Sequence, residues 1–323
     1  MNTAAAHAQD AVIDDFEGAV RAGLSRDRKE IPARYLYDQR GSELFEQITG
    51  LPEYYPTRTE VTLIEAHSSA IAKQVGEGRT VVEFGSGSSV KTPPFLRAVK
   101  ARAYVPIDIS AQFLEQAAEN IRIDCPGIEV FPLPGDFTRV LKLPARIADT
   151  PKLGFFPGST IGNMTAAEAV DLLRAFKETL GSDAHLVIGV DLKKDARILE
   201  PAYDDSQGVT ARFILNILHR MKADLGADLR EEDWSYESFW NAGMGRIEMH
   251  VRADANTSIS LGEQRWTVAK GETLHISNSH KYSLEEAALL ARASGFRQIQ
   301  AWTDEEDLFS LQLWRALPAD LTW

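Results

Sequence analysis

The sequence predicts an α/β fold in which a doubly wound, Rossmann-like sheet is joined to a second α+β lobe. From Thr80 onward, short apolar runs alternate with amphipathic stretches, the pattern of β-α units around a parallel sheet. A loop rich in Gly and Ser follows the first run, as in sheets that bind nucleotides or nucleosides. The chain has 323 residues, 44% hydrophobic and 25% charged, so we expect a sizeable core.

The sheet elements follow one another along the chain. Apolar runs predict parallel strands at Thr80–Phe84, Ala103–Ile107, Ile128–Pro132, Lys152–Phe156 and His185–Asp191. Amphipathic stretches predict helices near Pro94–Lys100, Ala111–Arg122 and Ala166–Leu180. After an interruption, a helix at Leu284–Ala293 and strands near Arg297–Trp302 and Ser310–Arg315 complete the sheet.

The remaining segments predict the second lobe. Arg197–Leu225 has the pattern of one or two long helices, and Arg246–Val268 that of an antiparallel meander. We expect residues 1–10 to be disordered and residues 11–75, mainly helical, to join residues 196–281 in a lobe over the carboxyl edge of the sheet. Residues 76–195 and 282–323 then form the sheet domain.

Composition excludes several classes of partner. The formal net charge of −12 opposes binding to a phosphate backbone, and no basic stripe offsets it, so we expect neither nucleic acid nor an anionic membrane as a partner. The first residues lack a signal peptide, no apolar run reaches the ~18 residues of a membrane span, and a single cysteine, Cys125, allows no internal disulfide. We therefore expect a cytoplasmic monomer. Since metal-binding Cys/His spacings are missing, we expect no metal.

The loop VVEFGSGSSVKT indicates a nucleoside site. Val90 stands where a dinucleotide loop has its third glycine, and the G-K-[ST] of a phosphate loop is missing. The loop resembles the E/D-x-G-x-G pattern of class I methyltransferases, with Glu83, Gly85 and Gly87 at the matching places.

Acidic residues after the next two strands extend this pattern. Asp108 ends the second strand, where a carboxylate can accept hydrogen bonds from both hydroxyls of a ribose. Asp136 and Phe137 follow the third strand, where an acid and an aromatic ring can hold an adenine. A turn or helix N-cap is an equally good interpretation of Asp136 alone.

Four further segments, GSELFEQITGLPEYYPTRTE, FFPGSTIGNMT, AYDDSQGVTARFILNIL and ETLHISNSHKYS, carry a family resemblance. From about Arg21 to its end the chain resembles the histidine Nα-methyltransferases of ergothioneine biosynthesis and their fungal relatives that methylate dimethylallyltryptophan. The resemblance implies a class I methyltransferase with S-adenosylmethionine as co-substrate and a free amino acid as substrate. It implies that the methyl donor is bound by Tyr37, Gly85, Lys91, Asp108, Asp136 and Phe137.

The resemblance also implies an amino-acid site. Tyr54, Gly158, Asn163 and Tyr203 match the positions that hold the amine and carboxylate, and we expect them where the sheet and the lobe meet. Without that context the two tyrosines are better explained as half-buried aromatics with a hydrogen-bonded tip, and Asn163 is explained as a helix N-cap. We expect Tyr54 and Asn163 to orient the amine and Tyr203 to bind the carboxylate, without a dedicated strong base.

The sequence departs from the family pattern at one place. The family carries a glutamate two residues before a serine, and both contact the imidazole of histidine; here the residues are Ser277 and Ser279. Losing the carboxylate should weaken recognition of histidine. The smaller, neutral Ser277 leaves room for the side chain of tryptophan, tyrosine or a modified aromatic amino acid, or for a water that restores the imidazole contact. His275 and His280 flank the segment and could compensate. Met249 matches another position that lines the pocket, although core packing explains it equally well.

Two rival functions remain. A non-catalytic metabolite-binding protein could retain the same fold, but the residues predicted to bind the donor are intact. A dehydrogenase could use the same sheet, but the dinucleotide glycine pattern fails. Histidine remains the leading substrate, with methylation to trimethylhistidine (hercynine).

Overall fold

The computed structural model of the chain describes residues 16–87, 90–109 and 111–318. The predicted disordered segment, residues 1–10, lies outside them. The helices are α1 (residues 16–24), α2 (Gln39–Thr49), α3 (Tyr55–Val75), α4 (Thr92–Ala98), α5 (Ala111–Asp124), α6 (Ala166–Leu180), α7 (Ala196–Tyr203), α8 (Val209–Leu225) and α9 (Leu284–Ala293). The strands are β1 (Thr80–Phe84), β2 (Ala103–Asp108), β3 (Glu129–Val130), β4 (Leu133–Pro134), β5 (Lys152–Phe156), β6 (His185–Asp191), β7 (Trp234–Asn241), β8 (Arg246–Ala253), β9 (Thr257–Leu261), β10 (Gln264–Val268), β11 (Thr273–His280), β12 (Phe296–Thr303) and β13 (Phe309–Ala316).

The chain divides into two compact units. Among the described residues, the sheet unit comprises 56–193 and 280–318, and the lobe unit comprises 16–55 and 194–279. This corrects the predicted boundary at residue 75, because α3 belongs to the sheet unit except for its first residue. Leu63, Ile64 and Val75 of α3 lie in one buried apolar cluster with Val81 of β1, so removing apolar surface from water fixes α3 on the sheet.

The sheet unit is doubly wound, as predicted. Within the described residues its strands follow the order β12-β13-β6-β5-β1-β2-β3, with β4 paired to β2. Strands β1, β2, β5 and β6 are parallel, whereas β13 runs antiparallel to β6 and β12 to β13. The chain thus builds outward from β1 in one direction and then from β5 in the other. The order reverses beside the carboxyl ends of β1 and β5, which is where such sheets bind ligands.

Burial explains why most of these strands were predictable. β1, β5 and β6 are buried along their whole length, and Val81 and Val82 of β1 pack into different apolar clusters, since successive side chains point to opposite faces. The predicted strand Ile128–Pro132 is instead two short strands, β3 and β4. Pro132 interrupts it because proline has no N–H to donate to a strand ladder.

The lobe unit differs from its prediction. The predicted meander over Arg246–Val268 is wrong: β8 pairs along its length with β7, in a sheet ordered β11-β8-β7, while β9 and β10 form a separate hairpin. The predicted helical stretch is two helices, α7 and α8. They separate at Asp205, whose carboxylate accepts the N–H groups of Val209 and Thr210 and so caps α8.

Over the described ranges, the search for a helix both long and apolar enough to cross a bilayer finds none.

Candidate active site

The loop after β1 lies against the end of β2. Gly85 donates its N–H to the carbonyl of Ile107 (2.9 Å), and Gly87 donates its N–H to Oδ2 of Asp108 (3.3 Å). Both glycines have positive φ, 76° and 42°, a conformation that other residues rarely adopt. The space within 4 Å of a side chain built on Gly87 holds none of the described atoms. A ligand can therefore approach this backbone beside the half-buried Asp108 carboxylate.

Phe137 meets the same loop. A Cβ atom on Gly85 would lie 3.2 Å from the Phe137 ring, so only glycine leaves the ring in place. The ring also packs edge-on against Phe156, with centroids 6.2 Å apart. Asp136 uses Oδ1 to accept the N–H (2.9 Å) and hydroxyl (2.6 Å) of Thr138, so the turn interpretation accounts for that oxygen. Its carboxylate is half-exposed, and Oδ2 lies 3.9 Å from Nε of the exposed Arg139.

Glu83 takes a different role from the one its motif predicts. Its side chain is fully buried, and its carboxylate accepts hydrogen bonds from the hydroxyls of Thr92 (2.9 and 3.0 Å) and Tyr104 (2.5 Å). Burial raises the pKa of Glu83 to about 8, against the lowering effect of these hydroxyls. The prediction that Glu83 binds the donor is therefore corrected: it ties β1 to β2 and to the start of α4.

Lys91 and Gly158 are brought together by a residue that sequence reasoning missed. Glu60 of α3 is fully buried, and its Oε2 lies 2.5 Å from Nζ of Lys91. The N–H of Gly158 donates to both oxygens of Glu60, at 2.9 and 2.8 Å. One carboxylate thus fixes a residue predicted to bind the donor and a residue predicted to bind the amino acid. Glu60 therefore occupies the Gly158 N–H.

Space for the Glu60 carboxylate depends on β6. A Cβ atom on Gly189 would lie 1.9 Å from Oε1 of Glu60, so a larger residue there would displace the carboxylate. The only local signal for Glu60 was its place in the segment PEYYPTRTE, which the family resemblance had already singled out.

The turn after β5 carries Asn163. Ser159 has a left-handed backbone (φ 52°), and its hydroxyl accepts the N–H of Asp191 at 2.9 Å. A short 3-10 helix, Thr160–Asn163, follows, and Asn163 at its end is exposed. The N-cap of α6 is Thr165, which forms a capping box with Glu168. The helix-cap interpretation of Asn163 is therefore wrong, and its amide is open to a ligand.

In the lobe unit, three predicted residues form one group. The rings of Tyr54 and Tyr203 meet edge to face, with centroids 5.9 Å apart, and the hydroxyls of Tyr203 and Ser279 are hydrogen-bonded at 2.8 Å. Tyr236 donates its hydroxyl to the carbonyl of Tyr203 (2.6 Å) and fixes the end of α7. The group therefore presents buried hydroxyls in a fixed arrangement.

The other predicted residues of the lobe unit lie on separate elements. Tyr37 precedes α2, is 43% exposed, and packs edge-on against Phe45 and Phe213 at 5.6 and 5.4 Å. Met249 on β8 is buried. Ser277 on β11 is buried as well, and its hydroxyl makes a long contact of 3.4 Å with the carbonyl of Asn278. This weak contact leaves the Ser277 hydroxyl able to turn to a ligand.

Comparisons with known proteins cover nearly the whole chain. The family model described as histidine-specific methyltransferase, SAM-dependent, matches residues 16–316. The histidine N-alpha-methyltransferase of Mycolicibacterium smegmatis is 37% identical over 312 residues, which are 95% of this chain and 96% of that protein. Ergothioneine biosynthesis protein 1 of Neurospora crassa is 31% identical over 286 residues, covering 85% of this chain but 32% of its own length.

More distant relatives have other substrates in their names. The 4-dimethylallyltryptophan N-methyltransferase of Claviceps fusiformis is 27% identical over 320 residues, 91% of this chain and 90% of that protein. Among solved structures, an S-adenosylmethionine-dependent methyltransferase from Clostridium acetobutylicum aligns with a TM-score of 0.45 and 9% identity, over 88% of this chain and 94% of that chain.

Proposed function

The chain belongs to the family of histidine-specific, S-adenosylmethionine-dependent methyltransferases, and we propose that it methylates the α-amino nitrogen of L-histidine three times, to trimethylhistidine (hercynine). The observation that carries the choice of substrate is the 37% identity, over 95% of the chain, to a histidine N-alpha-methyltransferase. This relative and the family model agree that the protein is an S-adenosylmethionine-dependent amino-acid N-methyltransferase.

The donor half of the proposal uses the sheet unit. The residues around the β1 loop fit S-adenosylmethionine, because none of the described atoms fills the space within 4 Å of a side chain built on Gly87 and Asp108 holds a carboxylate there. We assign the ribose hydroxyls to Asp108, the adenine to Asp136 and Phe137, and the methionine end to Gly85 and Lys91. Tyr37 completes the donor site by family resemblance. When bound, the donor supplies the methyl group on a sulfonium.

The acceptor half uses Tyr54, Asn163, Gly158 and Tyr203. We assign the substrate carboxylate to Tyr203, whose hydroxyl is hydrogen-bonded to that of Ser279 at 2.8 Å. Either hydroxyl can donate in this pair, and with Ser279 as the donor Tyr203 keeps its own proton for the carboxylate. Tyr54 and Asn163 orient the amine. Ser279, Ser277 and Met249 face the side chain of the amino acid.

The chemistry needs positioning more than acid–base catalysis. The amine lone pair attacks the methyl carbon in line with the departing sulfur: the N–C bond forms as the C–S bond breaks, and thioether is released. Effective transfer requires the nitrogen about 3 Å from the carbon. The α-amine of a peptide has a pKa of about 8, and the carboxylate of a free amino acid raises it, so the substrate arrives as an ammonium group. A neighbouring positive charge favours its neutral form. The proton lost at each of the three rounds therefore passes to solvent without a strong base, and no metal is required.

The experiment that tests the proposal is a mass-spectrometric methylation assay. The purified chain is incubated with S-adenosylmethionine and each of the twenty amino acids. A gain of three methyl groups on histidine supports the proposal. Methylation of another amino acid with histidine inert contradicts the choice of substrate, and no methylation together with measurable donor binding supports a non-catalytic binding protein.

Ser277 favours one alternative, the same reaction on another aromatic amino acid such as tryptophan or tyrosine. The decisive variants are Ser277→Glu and its neutral counterpart Ser277→Gln. A charge-assisted hydrogen bond is worth about 1.5–3 kcal/mol, so we expect Ser277→Glu to lower the KM for histidine roughly tenfold or more and Ser277→Gln to do much less. If the native substrate carries an indole or phenol, Ser277→Glu should instead depress that activity, and histidine turnover by the unmodified chain should be negligible.

A further inference from the structure

The lobe unit contains a cluster that the proposed reaction does not use. Glu248 and His250 lie two positions apart on β8, and His275 lies on β11, the neighbouring strand in the sheet. One potential ligand atom from each residue lies within 4.8 Å of the others. The expectation of no metal rested on Cys/His spacing along the sequence. Such spacing cannot reveal a group whose members meet only through strand pairing.

Each side chain of the cluster is held by outer partners. Oε1 of Glu248 accepts hydrogen bonds from Asn241 (2.8 Å) and from Arg246 (2.8 and 2.9 Å), while Oε2 faces Nε2 of His250 at 3.2 Å. Nε2 of His275 lies 2.9 Å from Oδ1 of Asn278. A neutral imidazole carries one proton, so the other ring nitrogen of His275 presents a lone pair. Partners of this kind orient the ligands in known metal sites.

The His250 ring is held in place. Phe239 stacks on it, with centroids 5.5 Å apart and an interplanar angle of 10°, and its Nε2 lies 3.2 Å from Oε2 of Glu248. The stacking keeps Nε2 of His250 directed at the cluster.

The surroundings of the cluster suit a cation. Arg246 is the adjacent positive charge, and it donates to Oε1 of Glu248, which leaves Oε2 to a metal. The rings of His250 and His275 lie side by side, with centroids 4.9 Å apart, and a neutral imidazole offers a lone pair to a metal.

We propose that Glu248, His250 and His275 bind one divalent transition-metal ion, with Zn²⁺ the best match. Two imidazole nitrogens and one carboxylate oxygen are ligands that zinc prefers, whereas magnesium and calcium prefer oxygen alone. Zinc binds such ligands at about 2.0–2.2 Å, so small side-chain rotations must draw the three atoms inward. Water would complete the coordination.

The role of this ion is to brace two strands. β8 carries Met249, and β11 carries Ser277 and Ser279, which the proposed function assigns to the amino-acid side chain. An ion bound to Glu248 and His250 on one strand and to His275 on the other joins β8 to β11. Binding only to the folded state raises its stability by mass action. This role in supporting the amino-acid site rests on the proposed function, but metal binding itself does not.

The experiment is zinc titration of the full chain after removal of metal with a chelator. Isothermal calorimetry and thermal unfolding are measured for the unmodified chain, His275→Asn, Glu248→Gln and the control His219→Gln. His219 is a half-exposed histidine 3.9 Å from a single carboxylate, that of Glu231, and belongs to no such cluster of described residues. We expect one zinc per chain, a rise of several degrees in Tm, and no response to magnesium. His275→Asn and Glu248→Gln should weaken zinc binding about 100-fold or more, and His219→Gln should not.

The proposal is overturned if the unmodified chain binds no zinc, or if it binds one zinc that both cluster variants retain. Circular dichroism establishes that the variants are folded. Because two different ligands are substituted, the test still stands if one of the two variants misfolds. Loss of zinc binding in the variants supports the site whether or not histidine is the methyl acceptor. Failure of the methylation assay alone bears on the proposed function only.

Discussion

Replacing Glu60 with glutamine tests whether one buried carboxylate organises the sheet unit's part of the site. Glutamine keeps the size of the side chain and a carbonyl oxygen for the Gly158 N–H, but it removes the charge that faces Lys91 at 2.5 Å. Its NH₂ group would also meet the ammonium group of Lys91, donor against donor. The substitution therefore isolates the charge of Glu60 from its shape.

The magnitude follows from burial. The Glu60 side chain is 0% exposed and that of Lys91 11% exposed. Removing one partner of such a pair costs about 3–5 kcal/mol, and the retained Gly158 contact places Glu60→Gln near the lower end. Removing both partners leaves no uncompensated charge, so Glu60→Gln with Lys91→Met should cost less than the sum of the single variants, by about 1–3 kcal/mol. Donor affinity should fall roughly tenfold, which corresponds to about 1.4 kcal/mol.

The assay combines urea unfolding with calorimetric titration of S-adenosylmethionine. Glu77→Gln is the matched control: Glu77 pairs with Lys100 at 2.8 Å, but both side chains are more than half exposed, and such pairs contribute about 0–1 kcal/mol. If Glu60→Gln changes stability no more than Glu77→Gln does and leaves donor affinity unchanged, the proposed positioning role of Glu60 is refuted.

Three further substitutions test other parts of the structure. Tyr54→Phe should lower turnover about 10- to 100-fold without changing the Kd for S-adenosylmethionine; steady-state kinetics beside calorimetry decide it, and unchanged turnover would remove Tyr54 from the acceptor site. Glu83 has a folded-state pKa raised to about 8 from an ordinary value of 4.5, so its contribution to stability is fully present below pH 4.5, declines as pH rises toward 8, and is constant above. The stability difference between the unmodified chain and Glu83→Gln, measured by urea unfolding, should follow that window; a difference independent of pH would contradict an elevated pKa. Asp205→Ala should cost about 1–2 kcal/mol because it uncaps α8, whereas Asp204→Ala should cost less than about 0.5 kcal/mol, and equal effects in thermal unfolding would show that the cap is unimportant.

Elements whose signals are local were predictable from the sequence. β1, β5, β6, α6 and α9 begin and end at the predicted residues. The strands are short and mostly apolar, and both helices start at a capping box, Thr165 with Glu168 and Ser283 with Glu286. In these elements the local sequence pattern agrees with the observed burial, so tertiary contacts do not change the secondary structure that the sequence favours.

Strands β7 and β11 were not predicted, because the sequence of a strand that depends on its partner carries no local signal. β7 has the sequence WSYESFWN and is half-buried at most positions, so neither alternation nor a continuous apolar run marks it. Its stability comes from pairing with β8, from Trp234 opposite Ala253 to Asn241 opposite Arg246. A strand held by a partner reveals itself only once the partner is known, and the predicted meander joined β8 to the wrong neighbour.

The residues of the candidate site also differ in whether the local sequence could predict them. Gly85, Gly87, Asp108 and Phe137 follow successive strands, so a pattern of strand ends predicted that they meet. Glu60 contacts Gly158 across 98 positions, and a carboxylate on an amphipathic helix is indistinguishable in sequence from a solvated one. The sequence pattern assigned Glu83 to the donor site for a related reason. A loop pattern shows that an acidic residue stands at this position, but it does not show whether the side chain faces a ligand or the core.

The proposed contacts with the donor and those with the amino-acid side chain lie in different units of the chain. The proposed donor contacts in the sheet unit come from the loops after β1, β2 and β3, whereas the proposed side-chain contacts of the amino acid come from β8 and β11 of the lobe unit. A change at Ser277 can therefore alter which amino acid is accepted while leaving Asp108, Gly85 and Gly87 untouched. It follows that Ser277→Glu should change the KM for the amino acid and leave the Kd for S-adenosylmethionine as it is. A parallel change in both constants would mean that β11 also supports the donor site, and that Ser277 affects more than specificity.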